Sequence, residues 1–173
     1  PCKHPVEACI VFDSSADFVV DRGIGKYLTV EEAIDLLERM EKEGLVHTTI
    51  NSQRRPLFIC NCCTCSCLIL RGLTEMHNPR AFAKSNFMAQ RDEGACILCR
   101  ACIDICPFDA YFYHWPHDSE TERIGLIEER CVGCGLCSYH CPAGAITLIK
   151  VRNEIPEEGP REAMLRVESE RIH

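Results

Sequence analysis

The chain repeats one twelve-residue pattern, C-x2-C-x2-C-x3-C-P, beginning at Cys96 and again at Cys131. The first copy sets Cys96, Cys99, Cys102 and Cys106 ahead of Pro107; the second sets Cys131, Cys134, Cys137 and Cys141 ahead of Pro142. Three thiolates at x2 spacing lie on one tight loop and can hold three irons of a single cubane. The x3 step and the proline, whose φ is fixed, carry the fourth cysteine away from that loop. Zinc sites show C-x2-C pairs parted by a longer gap, not triplets closed by Cys-Pro. A disulfide scaffold suits a small secreted chain, and the odd total of 15 cysteines argues against one. The spacing is that of [4Fe–4S] cluster ligands.

With these two motifs, residues 86–150 resemble a bacterial-type dicluster ferredoxin, a likeness covering somewhat over a third of the chain. The resemblance implies a compact unit with pseudo-twofold symmetry, two short hairpins and two short helices. It also implies crossed ligation: Cys96, Cys99, Cys102 and Cys141 for one cluster, and Cys131, Cys134, Cys137 and Cys106 for the other. The expected fold is α+β. A ferredoxin-like dicluster module over residues 81–151 follows a small α/β cysteine-rich N-terminal domain at 1–80. A polar, partly helical tail covers 152–173.

The two motifs differ between their cysteines. Gly133 and Gly135 let backbone N–H groups approach cluster sulfurs closely, whereas Leu98 and Arg100 hold the matching positions in the first copy. Arg100 is expected to point to solvent, where arginine usually lies; leaning inward, it would raise the potential of its cluster. Ile97, Ile103, Ile105, Phe108, Val132, Leu136 and Ile146 are placed to wall the clusters from water. Dry surroundings disfavour the more negative reduced cluster, backbone N–H donors oppose this, and the resemblance implies low-potential carriers. His140 reads as a hydrogen-bonding or surface group rather than a ligand. Strands are expected at Asn86–Gln90, Ala110–His114, Ile124–Glu128 and Ala145–Val151. The loop Trp115–Arg123, with Pro116, His117, Asp118 and Ser119, is a candidate docking edge.

Before the module, Ile10–Phe12 and Phe18–Val20 read as short strands and Asp21–Gly25 as a turn. Thr29 and Glu32 form a capping box. Ala33, Ile34, Leu36, Leu37 and Met40 make a helical stripe, and Gly44 is a C′ stop. Strands follow at Leu45–Ile50 and Leu57–Ile59. Seven cysteines remain outside the motifs: Cys2, Cys9, Cys60, Cys62, Cys63, Cys65 and Cys67. Five of them fall in Cys60–Cys67, with overlapping pairs Cys60/Cys63 and Cys62/Cys65. Three readings stand open: a third Fe–S cluster drawing on this run with Cys9 or Cys2; a zinc site, with His4, His47 and His77 as possible nitrogen ligands; or bare thiols in redox chemistry. The segment looks like one found ahead of dicluster modules in uncharacterised ferredoxin-like proteins of anaerobes. Past the module, Arg161–Arg171 reads as a helix with a weak stripe of Ala163, Met164, Leu165 and Val167.

Net charge is −7, and no lysine- or arginine-rich run suggests nucleic-acid binding. No stretch approaches the roughly 18 apolar residues of a membrane span, and no signal peptide is legible. A reducing, anaerobic cytoplasm is the expected setting. The leading expectation is an electron-transfer protein or subunit serving a larger oxidoreductase. One alternative is a reductase whose N-terminal metal site admits substrate, although no Gly-rich nucleotide loop accompanies it. The other is a redox or metal sensor using the thiols of residues 60–67.

Overall fold

The computed structural model describes residues 2–54, 56–116 and 121–171. The N-terminal part is a three-stranded antiparallel sheet in the order β1 (Ile10–Val11), β3 (Phe58–Cys62), β2 (Val46–Thr49). Its helices are α1 (Ser14–Asp21), α2 (Val30–Lys42) and α3 (Leu68–Thr74). Helix α2 is fixed at both ends by local chemistry. The Thr29 hydroxyl accepts from Glu32 N–H and the Glu32 carboxylate accepts from Thr29 N–H, a reciprocal cap. Gly44, at φ 76, closes the other end. Gly44 N–H reaches Glu41 O and Leu45 N–H reaches Met40 O, the paired bonds of a Schellman stop.

Phe18, Val19 and Val20 lie in α1, not in a strand. A run of three apolar residues carries no period, and β1 has already ended at Val11. The helix buries none of its residues. Arg22 stacks 3.6 Å over the Phe18 ring, and Gly23 at φ 66 turns the chain out of it.

Side chains alternate along a strand, so the two faces of the N-terminal sheet have separate tasks. Ile10 and Ile59 are cross-strand partners, and both pack with Leu36, Met40 and Leu45 beneath α2. On the same face the buried Asn61 is opposite His47. His47 Nδ1–H donates to Asn61 Oδ1 at 2.5 Å, and Asn61 Nδ2 donates to the Ala8 carbonyl. The other face carries Cys60 and Cys62, with Thr48 and Val46 across from them.

The following module holds β4 (Phe87–Arg91), α4 (Ala101–Ile105), β5 (Tyr111–His114), β6 (Arg123–Leu126), α5 (Leu136–Tyr139) and β7 (Ile146–Lys150). β5 and β6 form the expected hairpin, Tyr111 facing Leu126. The other ribbon is not a hairpin: β4 pairs with β7, Phe87 facing Lys150 and Arg91 facing Ile146. The ribbon therefore joins the two ends of the module.

Sheet and module share a core. Val46 and Leu70 from the N-terminal part meet Phe108, Val132 and Leu136 from the module, and Leu70 is fully buried. His140 Nε2–H donates to the Glu41 carbonyl at 3.0 Å, the hydrogen-bonding role expected of it. The chain beyond β7 is strapped back across residues 52–54: Gln53 N–H reaches Glu157 O and Arg54 N–H reaches Glu158 O. It ends in α6 (Pro160–Arg171), whose Met164 and Leu165 are exposed.

Candidate metal centres

Each cysteine loop is a backbone device before it is a metal site. Leu98 and Arg100 have φ 55 and 67; at the matching positions Gly133 and Gly135 have φ 73 and 90. Both loops thus place left-handed residues third and fifth. Glycine adopts this conformation freely, while leucine and arginine do so at a cost of about 1–2 kcal/mol each. At Gly133 space decides as well. A Cβ there would sit 2.1 Å from the Phe87 carbonyl oxygen and 2.3 Å from Ser85 Oγ. Ser85 Oγ also donates to Gly133 O at 3.1 Å, holding the loop against the start of β4.

The likeness of the two copies runs past Cys-Pro. Asp109 and Gly144, each three residues after the fourth cysteine, have φ 49 and 61. The next N–H then points back at sulfur: Ala110 N–H to Cys106 Sγ at 3.4 Å and Ala145 N–H to Cys141 Sγ at 3.3 Å. The repeat is therefore fifteen residues long, ending Phe-Asp-Ala in one copy and Ala-Gly-Ala in the other. The shared alanine is the signal that could have revealed it. One residue further the copies part. Tyr111 donates its hydroxyl to Cys137 Sγ at 3.5 Å, whereas one residue past Ala145 stands Ile146, with no donor to offer.

The chain folds these cysteines around two small, partly open pockets. The first is lined by Cys106 with Cys131, Cys134 and Cys137; the second by Cys141 with Cys96, Cys99 and Cys102. In each case three thiols come from one loop and the fourth from the other motif. The donor set fits iron–sulfur clusters: soft thiolates select such groups, and N–H and O–H donors already address their sulfurs. Burial pushes the Cys134 thiol up to about 12 and the Cys102 thiol up to about 11. Neighbouring thiols push the same way, so these two buried thiols become thiolates only with a cationic centre beside them.

The walls follow expectation with one exception. Phe108, Val132, Leu136 and Ile146 are buried, and Ile103 and Ile105 pack against the cores. Ile97 lines the second pocket but is 66% exposed, so it shields only in part. Arg100 turns outward, as expected, and stacks 4.0 Å from the Tyr113 ring and 5.2 Å from Trp115. Of the loop beyond, His117, Asp118 and Ser119 lie outside the described residues.

The seven remaining cysteines fall into two groups. Cys60 and Cys62 share the sheet face turned toward the module. Cys9, one residue before the partner of Ile59, comes to that face and meets Cys60, while Cys67 meets Cys62. Burial, followed by these neighbours, raises the Cys62 thiol to about 12. The other group is Cys2, Cys63 and Cys65, whose sulfurs lie within 4.8 Å of one another. Cys2 is 3.7 Å from Cys63, and Cys63 is 2.8 Å from Cys65. The Ser66 hydroxyl, then the His4 backbone N–H, lowers the Cys2 thiol to about 6, and Cys63 raises Cys65 to about 11. The overlapping C-x2-C pairs are not the units: Cys60 goes with Cys62, and Cys63 with Cys65. Nor is His47 beside these thiols, because its ring is held by Asn61 on the opposite face.

Residues 95–145 match the family described as a 4Fe-4S dicluster domain. Over 40% of its length the chain is 35% identical to the archaeal-type glutamate synthase (NADPH) of Dehalococcoides mccartyi, covering 13% of that protein. Over 51% of its length it is 30% identical to hydrogenase-4 component A of Escherichia coli, covering 41% of it. Over 30% it is 34% identical to the formate dehydrogenase iron-sulfur subunit of Wolinella succinogenes, covering 24%. The chain thus spans only a minor share of each of these relatives. Residues 95–145 are a ferredoxin-type dicluster domain. No helix among the described residues is long and apolar enough to cross a membrane.

Proposed function

We propose that the protein is an electron carrier, with one [4Fe–4S] cluster on Cys96, Cys99, Cys102 and Cys141 and another on Cys131, Cys134, Cys137 and Cys106. The observation that carries this reading is the lining of two separate cavities by these two crossed quartets. A bound cubane supplies one-electron redox chemistry. The chain supplies the rest. The turned loops and the alanine N–H groups orient donors at sulfur, and the buried Val132, Leu136 and Phe108 exclude water from one side. Net desolvation favours low potentials, because it penalises the more negative reduced state.

The partner is a larger oxidoreductase, as the names of the relatives suggest, with this chain its iron–sulfur component. The first loop is the side for exchange, since Cys99 and Ile97 are exposed there. Anaerobically purified protein, reduced with dithionite, is expected to give the EPR of two interacting reduced [4Fe–4S] clusters. Absence of any reducible [4Fe–4S] signal in iron-loaded protein would remove the proposal.

A further inference from the structure

We propose that Cys9, Cys60, Cys62 and Cys67 hold a third iron–sulfur cluster, seated between the N-terminal sheet and the dicluster module, and that Cys2, Cys63 and Cys65 lie outside its ligand set. The inference deepens the electron-carrier reading and rests on it for the two module clusters.

Strand geometry selects the inner quartet. Cys60 and Cys62 are two apart on β3 and so share a face. Cys63 and Cys65 follow β3 in a turn, closed by Cys67 N–H to Cys63 O at 3.1 Å. That turn returns Cys67 to Cys62 and leaves Cys65 exposed. Cys9 reaches the same face because Asn61, between Cys60 and Cys62, holds the Ala8 carbonyl from the other side of the sheet.

Position gives the quartet its meaning. Cys62 and Cys67 pack against the shared core of Val46, Leu70 and Leu136, and against that same core pack Cys106 and Cys134 of the module. One apolar cluster separates the inner quartet from a dicluster cavity. Ligand spacing separates iron–sulfur from zinc. Zinc at about 2.3 Å from each sulfur holds its thiolates about 4 Å apart. Among the described residues, only Cys2, Cys63 and Cys65 bring three thiol sulfurs within 4.8 Å. The inner quartet is wider than that, as are both crossed quartets of the module.

The test is iron, sulfide and zinc content of the anaerobic full-length holoprotein, with EPR of the reduced form. About twelve irons per chain are expected, against about eight for a dicluster protein. Joint Cys60→Ser and Cys62→Ser replacement should bring the count to about eight and keep the signals of the module clusters. Joint Cys63→Ser and Cys65→Ser replacement should leave about twelve. Cys9→Ser, on the exposed N-terminal segment, is the gentler variant should the double replacement fail to fold; it too must lose iron while the module signals persist. Eight irons in the native chain, with or without one zinc, overturns the third cluster. Loss of four irons on replacing Cys63 and Cys65 overturns the ligand assignment. A native chain with about four irons or fewer tells instead against the dicluster reading itself.

Discussion

The two cysteine loops of the module share a backbone and differ in what surrounds it. In the first, Ile97, Cys99 and Arg100 are exposed and Cys102 is buried. In the second, Cys131, Val132, Gly135, Leu136 and Cys137 are all buried. The cause is the N-terminal part, whose Val46 on β2 and Leu70 on α3 close over Val132 and Leu136. The same motif thus serves two purposes. One copy makes its left-handed turns with ordinary side chains because nothing crowds them: Leu98 packs on the module core and Arg100 turns outward. The other requires glycine because protein presses on it from β4. A ligand pattern fixes which atoms can meet a metal; the packing around it fixes how wet and how accessible that metal is.

The largest expected break in this comparison is Gly133→Ala. With φ 73 and a carbonyl 2.1 Å from the new methyl, the loop must move. Holoprotein iron should fall by about four per chain, one cubane. Leu98→Gly, at the matching place, should keep all its iron and change stability in anaerobic denaturation by less than about 1 kcal/mol, because relief of a left-handed leucine is offset by its lost packing on the module core. Equal iron loss in both variants would show the loops to be equivalent.

Next in size is Leu70→Ala. Deleting a fully buried leucine should cost about 2–5 kcal/mol in chemical denaturation. It should also hasten oxygen damage to the cluster at Cys106, Cys131, Cys134 and Cys137 more than to its partner, followed by EPR during air exposure. Tyr111→Phe removes a hydroxyl donor from Cys137. At about 0.5–1.5 kcal/mol for such a bond, one of the two reduction waves of the module clusters should move about 20–60 mV negative in protein-film voltammetry. Replacing Ile146, its counterpart, by valine should move neither wave so far. Smallest is Arg100→Ala. It loses stacking on Tyr113 worth about 0.5–1 kcal/mol, seen in denaturation, and leaves both potentials nearly in place. A shift as large as that from Tyr111→Phe would place the guanidinium charge closer to the cluster than its outward stacking allows.

What the sequence disclosed and what it hid follow from range. The two cysteine motifs are legible because each sits within twelve residues, and α2 is legible because Thr29, Glu32 and Gly44 act on their own helix. Phe18–Val20 misleads because three β-forming residues without a partner strand have no reason to extend. Ile97 is half legible: its place beside a ligand position puts it on the pocket wall, but how much of it stays in solvent depends on packing far along the chain. The division of the seven N-terminal cysteines was beyond reach for a different reason. Read by eye, the run offers x2 pairs, but strand alternation pairs residues two apart, and only the register of β1 against β3 brings Cys9 to Cys60. Asn61, the residue that sets this register, looks from sequence like one more polar residue between cysteines.

The ribbon between β4 and β7 has a consequence for biogenesis. Phe87 finds its partner only at Lys150, across a span that contains both cysteine loops. On a ribosome, where synthesis runs N-terminal first, β4 must wait unpaired until β7 has emerged, and that wait lasts while eight thiols are exposed. Closing so long a span also carries a substantial entropic cost before any contact repays it. Inserted clusters, each bound from both loops, would act as clasps that shorten the span from within. Maturation of the metal sites and closure of the polypeptide are then a single event, and a cell short of iron would accumulate this chain open rather than merely empty.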